Sequence, residues 1–174
     1  LIDYDPAIGD ILKYDTLCGL SGQSAWARGQ GQAIYGFAVA YRETGNRVFL
    51  DAARRLADYF ISQLPPDKVP YWDFRDPGIP NVIRDTSAAS VAVCGLLELS
   101  AQAEVSMEQE RFRMAAIEIV RSLCSPPYLA KGARSRGILL HATWKKPSDP
   151  QADTSLIWGD YYFVEALMRL KKDR

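Results

Sequence analysis

The chain has 174 residues, 21 Lys plus Arg against 21 Asp plus Glu, one histidine and three cysteines. That balance, with no basic block and no alternation of aromatic and basic residues, makes nucleic acid and anionic membrane poor partners, and no apolar run reaches membrane-spanning length. Cys18, Cys94 and Cys124 are odd in number and widely spaced, and the lone His141 has no nucleophile motif beside it, so neither a zinc site nor a serine or cysteine hydrolase triad is expected.

The first residues, Leu1-Ile2-Asp3-Tyr4-Asp5-Pro6, lack an initiator Met and have neither the charged start nor the apolar centre of a signal peptide. The chain is expected to begin inside a longer protein, and its localisation stays open. Residues 1–23 are punctuated by Gly, Pro and Asp, and with short extended pieces such as Ile11-Leu12-Lys13-Tyr14 they read as a loop or small hairpin. Ser24 is placed to cap a helix running to about Glu43, which Thr44-Gly45-Asn46 ends. The stretch from Trp26 to Arg42 has the apolar content of a buried helix yet holds three glycines, each costing about 1 kcal/mol against alanine in a helix interior. Gly29, Ala33, Gly36 and Ala40 recur at helical spacing and leave one face nearly bare, open to close approach by another helix backbone. Arg28, Gln32 and Tyr35 follow i, i+4, i+7 on a different face. A guanidinium, an amide and a phenol in a strip suit a ligand; the competing reading is a packed helix whose polar end reaches solvent.

A second helix is predicted from about Arg47 to Leu64, with Phe49, Ala53, Leu56 and Phe60 on its apolar stripe, and Pro65-Pro66 stops it. Val69-Pro70-Tyr71-Trp72-Asp73-Phe74 is too short and too Pro-bounded for a helix, and reads as a loop with large side chains turned toward something. A third helix follows Asp85-Thr86-Ser87 to about Ala101, apolar nearly all round and therefore buried. Ser106-Met107-Glu108-Gln109 fits a capping box opening a fourth, amphipathic helix to about Cys124. After an irregular region containing Ile138 to Trp144, Asp153-Thr154-Ser155 is expected to cap a last helix to about Lys171. Strand signals are nearly absent, so the class is all-α.

An internal repeat supports this. Phe49 to Ala57 and Phe112 to Val120 share the pattern Phe-x-x-Ala-Ala-x-x-aliphatic-small, and Tyr35-Gly36, Cys94-Gly95 and Trp158-Gly159 mark three buried helices. Buried and amphipathic helices alternate, as in helical hairpins stacked in a ring or solenoid with an inner and an outer layer. Three inner and two outer helices are too few to close a ring. The chain, read as a single domain over 1–174, is therefore expected to be part of a barrel, with inner surface such as Val91, Leu96 and Phe163 left facing nothing and inviting self-association.

Five motifs in order, Trp26-Ala27-Arg28-Gly29-Gln30, Ala33-Ile34-Tyr35-Gly36-Phe37, Tyr71-Trp72-Asp73-Phe74, Arg84 to Ala89, and Ser155 to Tyr162, resemble the C-terminal half of the unsaturated glucuronyl hydrolases, glycoside hydrolase family 88. The resemblance spans essentially the whole chain. It implies an (α/α)6 barrel that removes a 4,5-unsaturated glucuronic acid from oligosaccharides: an aspartic acid protonates the C4=C5 double bond, water adds at C5, and the hemiketal rearranges. This differs from the usual pair of carboxylates flanking a glycosidic bond. No metal or organic cofactor is implied. The related unsaturated rhamnogalacturonyl hydrolases, which usually carry Asn where this chain has Gln30, are the second reading.

Carried over position by position, the resemblance makes Arg28 the group that binds the uronate carboxylate or neighbouring hydroxyls, a task for a planar fork of donors, and Trp26 a platform stacked on a sugar ring. Gln30, Gln32, Trp72 and Trp158 complete the candidate substrate-binding set. Trp26 and Arg28 lie about 200 degrees apart if both are helical, so they share a site only if the helix begins at or after Trp26. The family's catalytic aspartates match nothing here and are expected upstream. Within the chain the weak candidates for an acid are Asp73, between Trp72 and Phe74, and Asp160, beside Trp158. Asp85 and Asp153 read as helix caps and His141 as a satisfied loop histidine. An alternative of another class is a non-catalytic α-hairpin module binding acidic sugars or a protein partner.

Overall fold

The computed structural model describes residues 2–145 and 152–172. Helices α1 (Ala27–Thr44), α2 (Arg47–Ser62), α3 (Thr86–Gln102), α4 (Ser106–Leu123) and α5 (Ile157–Lys172) follow a short antiparallel hairpin of β1 (Ile2–Tyr4) and β2 (Ile11–Tyr14). Residues 146–151 of the irregular stretch lie outside the described residues.

The inner layer is α1, α3 and α5, with α3 in the middle, α2 packed on α1 and α4 on α3. The three inner helices run in the same direction, because their contacts count upward together. A methyl built on Gly31 would meet Val91 and Ala88, one on Gly95 would meet Ile34 and Tyr35, and Arg42 reaches Glu98. On the other side Gly159 lies against Ser87, Cys94 Sγ donates to the Tyr162 carbonyl, and Arg169 reaches Glu98. All three N-termini therefore open on one rim. α3 is buried from Thr86 to Leu99 without interruption, as its all-round apolar sequence requires. In α2 the buried stripe is Leu50, Ala53, Ala57 and Phe60, one position round from the predicted one; Phe49 is half-buried and stacks on Phe37.

Several local expectations differ from the structure. The residue that caps α1 is Trp26, not Ser24: the Ala27 N–H donates to the Trp72 carbonyl, and the Ser24 hydroxyl is taken by Asp73. Ser106 is already helical, with Val105 as the cap residue and its carbonyl accepting from Glu108 and Gln109 N–H, so the capping box does not form. Asp153 caps nothing, because α5 starts at Ile157 and the Asp153 carboxylate pairs with His141 instead. Asp85 does cap α3. The close-approach glycine of α1 is Gly31 rather than the Gly29, Ala33, Gly36, Ala40 face; Gly29 is covered by the Trp26 ring, and nothing lies within 4 Å of a methyl placed on Gly36. Val91, Leu96 and Phe163 are buried, since α3 is central and Phe163 faces it. The exposed apolar stripe is on the outer side of α5: Ile157, Tyr161, Val164 and Met168.

At the end opposite the rim, a charged network ties the inner helices together. Glu98 accepts from Arg42, Gln102 and Arg169, and Tyr35 donates to Glu165 while accepting from Arg169. Burial pushes the Glu98 carboxyl up, but the bonds from Arg169, Gln102 and Arg42 outweigh it and hold the group below its ordinary range.

Candidate functional site

The rim is organised by short extended segments rather than by the helices themselves. Residues 70–74 lie between the chain entering α1 and the chain entering α3. The Ala27 N–H donates to the Trp72 carbonyl and the Phe74 N–H to the Ala25 carbonyl on one side, and on the other the Trp72 N–H donates to Ile83 and the Asp85 N–H to Pro70. Trp26 is thus held in extended conformation as the last residue before α1, which satisfies the condition under which it shares a site with Arg28. From the third side, Thr86 N–H and hydroxyl donate to the His141 and Leu140 carbonyls, and Ala142 pairs with Thr154. This lays residues 141–145 across the rim beside the start of α5.

Arg28 is the centre of what these segments bring together. Its guanidinium carbon lies 4.8 Å from the ring centroid of Trp26 and 5.3 Å from that of Trp158, between α1 and α5. A third aromatic, Trp144, packs on Trp158 at 5.0 Å. Nη1 donates to Ser87 Oγ (3.0 Å) and the Thr143 carbonyl (2.9 Å), and Nη2 to the Trp144 carbonyl (2.7 Å). Asp85 Oδ2 is 3.9 Å from Nη1. Arg28 is 3% exposed, so a formal charge is buried at the N-terminal end of a helix, where the dipole opposes it. Carbonyl dipoles, two indole faces and one carboxylate compensate.

The indole N–H groups of both Trp26 and Trp158 are buried and, among the described residues, have no acceptor. An unsatisfied buried donor costs about 1–3 kcal/mol, and two of them flank the one guanidinium. Three parallel helix N-termini add their positive ends to the same rim.

Other predicted residues fall elsewhere. Gln30 is half-buried one turn into α1, and Gln32 is exposed. Tyr35 belongs to the network at the far end, so the Arg28, Gln32, Tyr35 strip does not converge. Trp72 is 1% exposed inside the scaffold, its indole N–H donating to Asp76. Asp73 is buried, and its carboxylate accepts from the Leu20 and Arg75 N–H groups and the Ser24 hydroxyl. Asp160 accepts from the Ile138 and Leu139 N–H groups. Both carboxylates hold loops. His141 Nδ1 lies 2.7 Å from Asp153 Oδ1, and both residues have positive φ. Among the described residues no group of His, Cys, Asp and Glu is arranged to hold a metal ion, and no helix is long and apolar enough to cross a membrane.

Thr143, Trp144 and the Ser87 hydroxyl were not among the residues expected at the site. Their contacts with Arg28 span 115, 116 and 59 positions, the first two to a loop that carries no periodic signal and the third to the first turn of α3.

Parallel inner helices backed by amphipathic ones, with an aromatic and cationic cluster on the N-terminal rim, define a segment of a helical-hairpin barrel. Comparison with known proteins identifies the kind. The chain is 37% identical over 170 residues to the unsaturated glucuronyl hydrolase of Bacillus sp. (strain GL1), and 38% identical over 171 residues to the unsaturated chondroitin disaccharide hydrolase of Streptococcus agalactiae. These alignments cover 97% and 98% of this chain, and 45% and 43% of the relatives. The crystal structure of the Bacillus sp. GL1 enzyme superposes with a TM-score of 0.91 over 99% of this chain and 46% of that one, and a Streptococcus agalactiae unsaturated glucuronyl hydrolase complexed with dGlcA-GalNAc6S with 0.83 over 98% and 46%. No family model matches. Along essentially its whole length the chain is homologous to the unsaturated glucuronyl hydrolases of glycoside hydrolase family 88, and it spans about half the length of these relatives. It forms about half of their helical barrel.

Proposed function

We propose that this chain supplies the sugar-facing wall of an enzyme that hydrates 4,5-unsaturated uronyl oligosaccharides, with the proton donor contributed from outside these residues. The observation that carries this reading is Arg28, set between Trp26 and Trp158 with both indole N–H groups lacking an acceptor. A guanidinium recognises a carboxylate by charge and by paired donors, and indole faces take the apolar face of a pyranose ring. The relatives' names, and a solved relative carrying dGlcA-Glc-Rha-Glc, support the substrate class.

Fixing the uronate carboxylate orients the adjacent C4=C5 bond. Proton addition at C4 places positive charge at C5, shared with the ring oxygen; water then adds at C5, and the hemiketal opens. Arg28 does not favour that cation directly. Its part is to bind and orient, a contribution through positioning. Asp73 and Asp160 each accept two or more protein donors, which suits loop anchoring better than proton donation. The same observation favours a second reading for these residues taken alone: binding without turnover.

The test is Arg28→Ala. Unsaturated chondroitin and glucuronyl disaccharides are titrated by calorimetry, and turnover is followed by loss of the ultraviolet absorbance of the conjugated double bond. Removing a charged hydrogen-bonding partner worth about 1.5–3 kcal/mol is expected to weaken binding by roughly 10- to 150-fold. Unchanged affinity removes Arg28 from the site, and turnover by the chain alone overturns the assignment of the acid to residues outside it.

A further inference from the structure

The two oxygens of the fully buried Asp85 carboxylate have different surroundings. Oδ1 accepts from the Ser87 and Ala88 N–H groups at 3.0 and 3.3 Å, which caps α3, and from the Ser87 hydroxyl at 2.5 Å. Oδ2 makes no well-formed hydrogen bond among the described residues, has the Thr143 amide near the carboxylate, and lies 3.9 Å from Arg28 Nη1. The cap alone does not call for a charge, because Ser, Thr or Asn serve there as well. Burial pushes the Asp85 carboxyl above its ordinary range, opposed first by Arg28 and then by the Ser87 hydroxyl and the Ala88 and Thr143 amides.

Ser87 links the two charges. Its only hydroxyl hydrogen is committed to Asp85, which turns its oxygen into an acceptor for Arg28 Nη1 at 3.0 Å. The first turn of α5 lies directly behind it: a methyl on Gly159 would sit 3.0 Å from Ser87 Cβ, so the α5 backbone comes close to the start of α3 at this residue. Carboxylate, hydroxyl and guanidinium form one directed chain running from the cap of α3 to the side chain that α1 places between two indoles.

We propose that Asp85 is the positioning residue of the uronate site, fixing the Arg28 guanidinium through the Ser87 hydroxyl and through the counter-charge of Oδ2. The inference rests on the reading of Arg28 as the carboxylate-binding group. Without the anion, Arg28 is a buried cation facing only carbonyl dipoles and aromatic faces, and it leaves the pocket for solvent. An amide in place of the carboxylate also offers an N–H to the Ser87 oxygen, which competes with Arg28 for its lone pairs.

The experiment uses Asp85→Asn, which retains an oxygen for the cap, and Ser87→Ala, which retains the Asp85 cap on backbone amides and deletes only the link. Arg28→Ala is the reference. Each is titrated with an unsaturated chondroitin disaccharide and with its uronate methyl ester, and arginine side-chain NMR spectra report Arg28 without any ligand. Both variants are expected to lose about tenfold or more of the preference for acid over ester, the scale of one charge-assisted hydrogen bond, with ester affinity unchanged. The Arg28 resonances are expected to change from restrained to solvent-averaged. Retained acid preference in Asp85→Asn and Ser87→Ala, alongside its loss in Arg28→Ala, overturns the positioning role and leaves the functional reading standing. Retained preference in Arg28→Ala sinks the functional reading instead. Unshifted Arg28 resonances in both variants overturn the positioning role whatever the sugar does. Should Asp85→Asn fail to fold, Ser87→Ala alone decides.

Discussion

Two alanine substitutions on one helix should move stability in opposite directions. Gly31 and Gly36 both lie inside α1, and exchanging glycine for alanine there gains about 1 kcal/mol of helix propensity. At Gly36 a methyl meets nothing within 4 Å, so the whole gain is kept. At Gly31 the methyl would sit 2.9 Å from Val91 Cγ1, 3.0 Å from the Ala88 carbonyl oxygen and 3.2 Å from the Ala92 nitrogen. Two of those three are backbone atoms of the buried α3 and cannot turn aside. Overpacking of this kind costs about 1–3 kcal/mol, and with backbone to displace the upper end applies, leaving Gly31→Ala destabilised by about 1–2 kcal/mol after the propensity gain. Gly36→Ala should raise the melting temperature by about 2–4 °C for a chain of this length. Urea unfolding followed by far-ultraviolet circular dichroism measures both. Equal shifts of the same sign would refute the assignment of Gly31 as the crossing point. A destabilised Gly36→Ala would show that another surface covers that face in solution.

Three further outcomes are expected. Asp73→Ala removes an acceptor from Leu20, Ser24 and Arg75 together and should cost about 3–5 kcal/mol, read by the urea midpoint, whereas a carboxyl reserved for chemistry would leave stability nearly unchanged. The Glu98 carboxyl is depressed in the folded chain relative to its ordinary 4.5, so its contribution is complete above that value and is lost as pH falls through it toward the folded pKa; Glu98→Gln should abolish this increment, and a wild-type acid limb identical to the variant's would contradict the network's role. The apolar stripe of Ile157, Tyr161, Val164 and Met168 on α5 should drive the chain alone to associate; sedimentation velocity giving a single monomer boundary at all concentrations would oppose that, and Val164→Lys should reduce association.

Helix positions were legible because they rest on signals local to each segment. The all-round apolar run from Thr86 to Leu99, the Pro65-Pro66 stop and the αL Gly45 after α1 are each readable within one turn or two. The caps misread at Ser24 and Ser106 show the limit of that locality. The first amide of α1 is satisfied by the Trp72 carbonyl, 45 positions away, so the side chain of Ser24 was free for another partner. Trp26, Arg28 and Trp158 were singled out as unusual residues and do come together. The residues that hold Arg28 in place were not found as such, because an arginine bonded to two carbonyls depends on where one distant loop crosses the start of its helix, and a carbonyl oxygen has no residue type to betray it. Asp85 was read correctly as a cap, and that reading hid its second oxygen.

The central helix α3 begins beside Asp85 and Ser87 and carries Glu98 near its other end, with every residue from Thr86 to Leu99 buried. At 1.5 Å per residue those two charged clusters are about 17–20 Å apart on one rod. Gly31, Gly95 and Gly159 key the rod closely into both neighbours, like a splined shaft, and close packing of this kind resists rotation or sliding at one end alone. A change at the Glu98 end of the rod is therefore expected to register at its other end, beside Arg28.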